Sequence, residues 1–388
     1  MVNLARFGRV GVRCGVAAAA LSFMIGGAAL AQSGGGAEAA ALGAPGYVAP
    51  KTSWGVPDLQ GTWSNASITD LQRNPKYPGL VLSREQANEI EGSDYYNNRT
   101  REDSKPADVK NLKLLDGTDL LSGGGYNAFW VDQGTRVATV KGELRSSWIT
   151  HPADGRIPYL PGKGPRRRTS AQSAQPTGAA AKSGTVQGPG SVDPNAGGGY
   201  GSYNGPETRP LGERCLVGFG NTGGPVMNNV LYNNHYQLVQ SPDTVMILVE
   251  MVHDARVIPI VSGPEAADWG PDPIRPWLGK SVGWYEGDAL VIETRKVNPQ
   301  QRGYLSQQGV LRERLYRWND KQVVYEFEVT DPSLYSEPWG GEIAWNLSAE
   351  PLYEYACHEG NYAMPGILAG ARKLESEGRL VPINADEE

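Results

Sequence analysis

The stretch TVMILVEMVHDARVIPI, residues 244–260, decides the fold class. Successive side chains of an extended strand point to opposite faces. One face of this stretch carries Met246, Leu248, Glu250, Val252, Asp254, Arg256, Ile258 and Ile260, and the other Val245, Ile247, Val249, Met251, His253, Ala255 and Val257. Both faces are rich in apolar residues, so the chain here is expected to be covered on both sides. Glu250, Asp254 and Arg256 then share a half-buried face, where charges need partners, and Asp254 with Arg256 supplies one pair. Pro259, or a bulge near His253, would shift the parity.

Working outward, the same texture recurs. Apolar runs at 236–240, 244–251 and 255–260 are followed by 281–285 and 289–294 around Glu286-Gly287-Asp288, then by 311–318 and 322–330 around Asn319-Asp320-Lys321. Short apolar runs separated by such turn residues are the hairpin signature. Earlier strands are expected at 127–132, 135–140 and 143–150, and a last one at 353–358. Ser83 with Gln86 makes a capping box, which predicts a short helix over 84–91, and a closing helix is expected over 365–377. The fold class that follows is mainly β: an antiparallel meander curling into a barrel or lipocalin-like body, with few short helices. Closure would remove exposed strand edges.

The ends place the chain in a compartment. Arg6, Arg9 and Arg13 precede an apolar run from Val16 to Leu30, and Ala29-Leu30-Ala31 is an A-x-A site. A basic start, a short apolar stretch and such a site read as a secretory signal peptide over 1–31, cleaved after Ala31. The run is too short for a membrane-spanning helix, which needs about 20 apolar residues. Residues 32–50, rich in Gly and Ala, read as a flexible tether, and 51–388 as a single β-rich domain. The Gly, Ser, Ala, Pro and Gln tract at 162–206 reads as a disordered insertion, because it has little apolar surface to offset its ordering entropy. The expected location is the periplasm or the exterior. Cys14 leaves with the signal, so Cys215 and Cys357 remain and are expected to be bonded in an oxidising compartment. Without Arg6, Arg9 and Arg13, 33 Lys and Arg face 42 Asp and Glu, a net charge of −9. That balance argues against nucleic acid and anionic membrane as partners and leaves a small-molecule ligand.

Candidate chemistry gathers around the histidines, of which there are only four: His151, His235, His253 and His358. His253-Asp254 and His358-Glu359 set an imidazole directly beside an acid, a pattern suited to general acid–base work. The catalytic candidates are therefore His253, His358, Asp254 and Glu359. Arg256 would hold an anionic group, with Glu250, Trp284 and Trp339 as further binding residues. Two alternatives stand beside this one: ligation of a metal by two His and carboxylates, and plain structural ion pairing. Trp284-Tyr285-Glu286-Gly287-Asp288 also has a structural reading, Gly287 supplying positive φ in a tight hairpin. No H-E-x-x-H, C-x-x-C, G-x-S-x-G or phosphate-binding glycine loop occurs, so neither a cofactor nor an oligomeric state is indicated.

Nine short motifs run in order through the chain: 57–63 (PDLQGTW), 151–158 (HPADGRIP), 213–215 (ERC), 232–234 (YNN), 250–256 (EMVHDAR), 277–279 (WLG), 286–288 (EGD), 331–332 (DP) and 354–361 (EYACHEGN). With them the chain resembles a large family of exported, uncharacterised bacterial proteins found in proteobacteria and acidobacteria. The resemblance implies export and a β-rich body, without a reaction. His151 stands where that family has Asp, which makes it a poor catalytic candidate, and the 163–206 tract is longer than usual. Two function classes are carried forward. One is a lyase, isomerase or hydrolase acting on a small molecule in a β-rich cavity. The other is a non-catalytic binding protein, or a metal-binding protein.

Overall fold

Tight turns set the register of the sheet. In the computed structural model, β8 (Lys280–Glu286) and β9 (Ala289–Arg295) are joined by Gly287-Asp288, with Gly287 at φ 60. β10 (Val310–Asn319) and β11 (Gln322–Thr330) turn through Asp320-Lys321, where Asn319 Oδ1 accepts from Lys321 N at 2.9 Å. The residues described are 42–103, 131–164, 206, 209, 211–218, 223–224, 226–271, 273–299, 301 and 304–378. The expected signal segment, most of the expected tether and insertion, and most of the strand expected at 127–132 lie outside them.

Three more strands precede these hairpins and one follows. They are β5 (His235–Gln240), β6 (Thr244–Val249), β7 (Ala255–Pro259) and β12 (Trp339–Leu347). A short strand near the start, β1 (Gly61–Ser64), pairs with both β5 and β12. The order around the sheet is β7-β6-β5-β1-β12-β11-β10-β9-β8, each hydrogen-bonded pair antiparallel. A parallel bridge between Ile260 and Gly283 brings the two ends together, with Val261 N donating to Gly283 O at 2.8 Å. The result is a nearly closed nine-stranded barrel. β4 (Ile149–His151) pairs with the first half of β12, where Gly340 and Gly341 let its backbone approach. A small hairpin, β2 (Thr139–Val140) and β3 (Glu143–Leu144), pairs separately.

The interior is filled by side chains. Trp63, Tyr236, Tyr325, Trp339 and Trp345 are fully buried, and Tyr236 stacks on Trp345 with ring centroids 4.4 Å apart. Helices are peripheral: α1 (Arg84–Ser93), α2 (Tyr95–Asp103) and α3 (Ala363–Ser376). The capping box that predicts α1 is present, Gln86 N donating to Ser83 Oγ and Ser83 N to Gln86 Oε1. Among the described residues no helix is long and apolar enough to cross a membrane.

Three local expectations are corrected. Residues 244–260 are a hairpin, because a 3-10 turn at Met251–His253, with Val252 at φ 60 and His253 at φ 46, reverses the chain. The inward face therefore changes from Val245, Ile247 and Val249 in β6 to Arg256 and Ile258 in β7. The outer face is only partly covered, with Val257 61 % exposed. Residues 353–358 form no strand. Conversely β12, the most central strand of the second half, has no counterpart among the expected strands.

Candidate functional site

Arg256 projects into the barrel rather than toward a ligand space. Its guanidinium donates to Glu313 twice, Nη1 to Oε1 at 2.8 Å and Nη2 to Oε2 at 2.6 Å, and Nη2 also reaches Ser281 and Thr294 hydroxyls. Tyr325 donates to Glu313 Oε1 at 2.8 Å. The residues 226–228 cross into this interior, with Met227 N donating to the Tyr325 hydroxyl and Met227 Sδ accepting from Arg256. The expected Asp254–Arg256 pair is not made: the Arg256 guanidinium is taken by Glu313, and Asp254 lies instead against Gly218 and Gly223. Burial alone would lower the Arg256 pKa, but the adjacent Glu313 outweighs it and raises it. This ion pair is a sealed structural network.

The other candidates are spread over the β6–β7 turn, the 353–361 segment, β8 and β12. His253 is exposed and its Nδ1 lies 3.2 Å from Tyr355 O. His358 and Glu359 are exposed, and among the described residues their side chains make no hydrogen bond or ion pair. Asp254 Oδ2 is buried without a partner, and burial pushes its carboxyl up to about 6 against a backbone hydrogen bond from Gly218. Trp284 is buried beneath Arg312 and donates to Glu286 Oε1. Trp339 is in the core, one layer behind Tyr304, with centroids 5.1 Å apart. The 250–256 and 354–361 motifs do meet, through backbone: Tyr353 N approaches Glu250 Oε1 at 3.4 Å, and Tyr355 O approaches His253. The Cys215–Cys357 disulfide fastens the same segment, and Asn361 Nδ2 donates to Glu213 O at 2.6 Å. So the motifs converge on a strap, and they do not bring His253, His358 and Arg256 into one concavity.

The His–carboxylate pair that the fold does build is His235 with Glu250. β5 starts where β6 ends, so His235 Nδ1 lies 3.1 Å from Glu250 Oε2, with Asp132 Oδ2 at 4.0 Å. The hydrogen bond to Glu250 outweighs burial and raises the His235 pKa. Burial pushes Glu250 up, but His235 and the backbone N–H groups of Tyr353 and His235 together bring it below its ordinary value. Desolvation raises Asp132, opposed by His235. Sequence adjacency does not reveal His235, because its acid lies 15 residues away.

At the barrel end where β1 and β6 finish and β5 begins is a cavity of about 600 Å³, lined by neither His235 nor Glu250. Residues 67–71 and 228–232 form most of its wall, completed by Asp94, Gln133, Met251 and Tyr304. Asp70 opens onto it. The surrounding walls desolvate its carboxyl and Asp94 adds like charge, so its pKa is raised. Asp94 Oδ1 caps α2 through Asn97 N at 2.8 Å and accepts from Gln133 Nε2 at 3.1 Å. Among the described residues no three His, Cys, Asp or Glu side chains are placed to hold a metal ion. No family model, curated protein or solved structure matches this chain.

Proposed function

We propose that the protein is an exported binding protein whose ligand is a small molecule held in the cavity at the barrel end. The observation that carries this reading is the cavity itself. It combines a volume suited to a small ligand with a mixed wall, polar side chains such as Asp70, Gln133 and Asn229 beside Ile68, Leu71 and Leu231, while the barrel interior is occupied by its own side chains. Export is supported by the basic, apolar, A-x-A start of the chain, and a disulfide between Cys215 and Cys357 fits an oxidising compartment. The exported family that the sequence resembles is consistent with the same location.

The test is a fragment screen by protein NMR on the oxidised chain, paired with Leu231→Trp, which fills the cavity from a position 40 % exposed. Binders should shift resonances of residues 67–71 and 228–232 and be lost in the variant. Binders that ignore Leu231→Trp would refute the assignment. A second reading, acid–base catalysis, rests on the half-buried His235–Glu250 pair. In it Glu250 orients the imidazole through Nδ1 and Nε2 exchanges the proton. Turnover abolished by His235→Gln with ligand affinity retained would favour it over binding alone.

A further inference from the structure

The β6–β7 turn holds its shape against the preference of its own backbone. Val252 at φ 60 and His253 at φ 46 are consecutive left-handed residues, and neither is glycine. A β-branched residue in that region is an outlier, which costs free energy and persists only where surrounding contacts hold it. Part of the hold lies within the turn, His253 N donating to Glu250 O and Val249 N to Asp254 O. The 353–361 strap adds to it: Tyr355 O lies 3.2 Å from His253 Nδ1, and Tyr353 N donates to Glu250 Oε1 at 3.4 Å. Yet the strap brings little packing of its own. No residue of 353–361 is buried, and only Tyr355, Cys357 and Asn361 are half-buried. Such a segment opens locally at low free energy unless it is tied down. The tie is the disulfide to Cys215, a residue 6 % exposed, beside which Asn361 Nδ2 donates to Glu213 O at 2.6 Å. The same turn contributes Met251 to the wall of the cavity. Disulfide, strap, turn and cavity wall are thus joined in series.

We infer that the strap and the turn form a redox-sensitive latch: thiol–disulfide exchange with an external dithiol frees the strap, and the strained turn then relaxes and moves Met251 out of the cavity wall. In the exchange a thiolate of the dithiol attacks Cys357 Sγ, the cysteine of the pair that is more exposed. The Cys215–Cys357 bond breaks, and Cys215 leaves as a thiolate 3.7 Å from Asn361 Nδ2, a donor already aimed at its sulfur. The second thiol of the dithiol then displaces Cys357 from the mixed disulfide. The dithiol ends as a disulfide, and its two protons pass to the two cysteines. Any effect on a bound ligand rests on the binding reading above; the latch itself does not.

The test is amide hydrogen exchange on the full chain, oxidised and after dithiothreitol under native conditions, with iodoacetamide to count the thiols. Both cysteines should become alkylatable while the barrel stays folded. Amides of 250–254 and 353–361 should then exchange at least about tenfold faster, those of β10 and β11 should keep their rates, and the Met251 methyl resonance should shift. Val252→Gly removes the strain, because glycine accepts φ 60 freely, so in that variant reduction should still free 353–361 but accelerate 250–254 by no more than about threefold. Val252 is buried, so Val252→Asn, whose side chain also tolerates the left-handed region, repeats the contrast if the glycine variant does not fold. A disulfide reduced only as the barrel unfolds, acceleration shared equally by β10 and β11, or a turn and a Met251 resonance indifferent to reduction overturns the latch. Equal acceleration of the turn in wild type and in the Val252 variants overturns strain as its driving force. If the latch behaves as expected while no fragment shifts the cavity resonances in either redox state, the binding reading falls and the latch stands.

Discussion

Replacing Glu313 by Gln tests whether Arg256 is a structural cation or a ligand anchor. Glu313 is fully buried and the Arg256 side chain is 2 % exposed, so neither charge is screened by water. The carboxylate accepts from both guanidinium nitrogens, from the Tyr325 hydroxyl and from Thr294 Oγ1. In Glu313→Gln one acceptor oxygen becomes an NH₂ group facing donors, and Arg256 keeps a buried charge with no counter-ion. Breaking a buried pair from one side costs about 3–5 kcal/mol. Arg256→Met leaves Glu313 charged with only two hydroxyl donors and should cost a similar amount. The double variant removes both charges, and the new amide oxygen at position 313 can still accept from Tyr325. It should therefore be more stable than the sum of the singles implies, with a coupling of about 2–3 kcal/mol. The assay is urea unfolding of the oxidised protein at neutral pH, followed by tryptophan fluorescence, for the four members of the cycle. A Glu313→Gln cost under about 1 kcal/mol, or strict additivity in the double variant, would refute the reasoning and release Arg256 for binding.

Three further outcomes follow from the geometry. Cys215→Ser with Cys357→Ser opens a link spanning 142 residues and should cost about 2–5 kcal/mol in urea; an unchanged midpoint would mean that the strap is held without it. Asp254 keeps its proton in the fold to about 6 but only to 3.8 when unfolded, so its contribution is present at low pH and is lost as pH rises through about 6. Asp254→Asn should accordingly stabilise the protein by about 1–3 kcal/mol at about pH 8 and have little effect at about pH 4, as read by thermal melts at both values. Gly341→Ala drives a Cβ into the Trp148 carbonyl where β4 meets β12, a clash that should cost about 1–3 kcal/mol; faster amide exchange confined to 148–151 and 340–342 would locate the damage.

The barrel gives a physical reason for the arrangement. Its nine strands close with one parallel bridge, which leaves little unpaired edge. Its interior is sealed by aromatic rings and one ion pair. The cavity therefore lies at the barrel end, where loops rather than strands provide most of the wall and where side chains can vary without disturbing the sheet.

What the chain wrote locally was legible along its length. The β8–β9 and β10–β11 hairpins follow from alternating apolar residues around Gly287 and Asn319, and α1 from the Ser83–Gln86 box, because each is decided by neighbours a few residues apart. The Cys215–Cys357 bond was accessible by elimination, since only two of the three cysteines lie outside the segment that reads as a signal. Other features needed the folded chain. β1 is four residues long and β12 is interrupted by Gly340 and Gly341, so neither shows a clear strand pattern until β4, β5 and β11 pair with them. The inward turn of Arg256 depends on φ 60 at Val252, a left-handed backbone that a β-branched residue rarely adopts. His235 meets Glu250 across 15 residues, and Arg256 meets Glu313 across 57. Periodicity reports which residues share a face. Which faces meet is settled by strand order and closure, and those depend on contacts far apart in sequence.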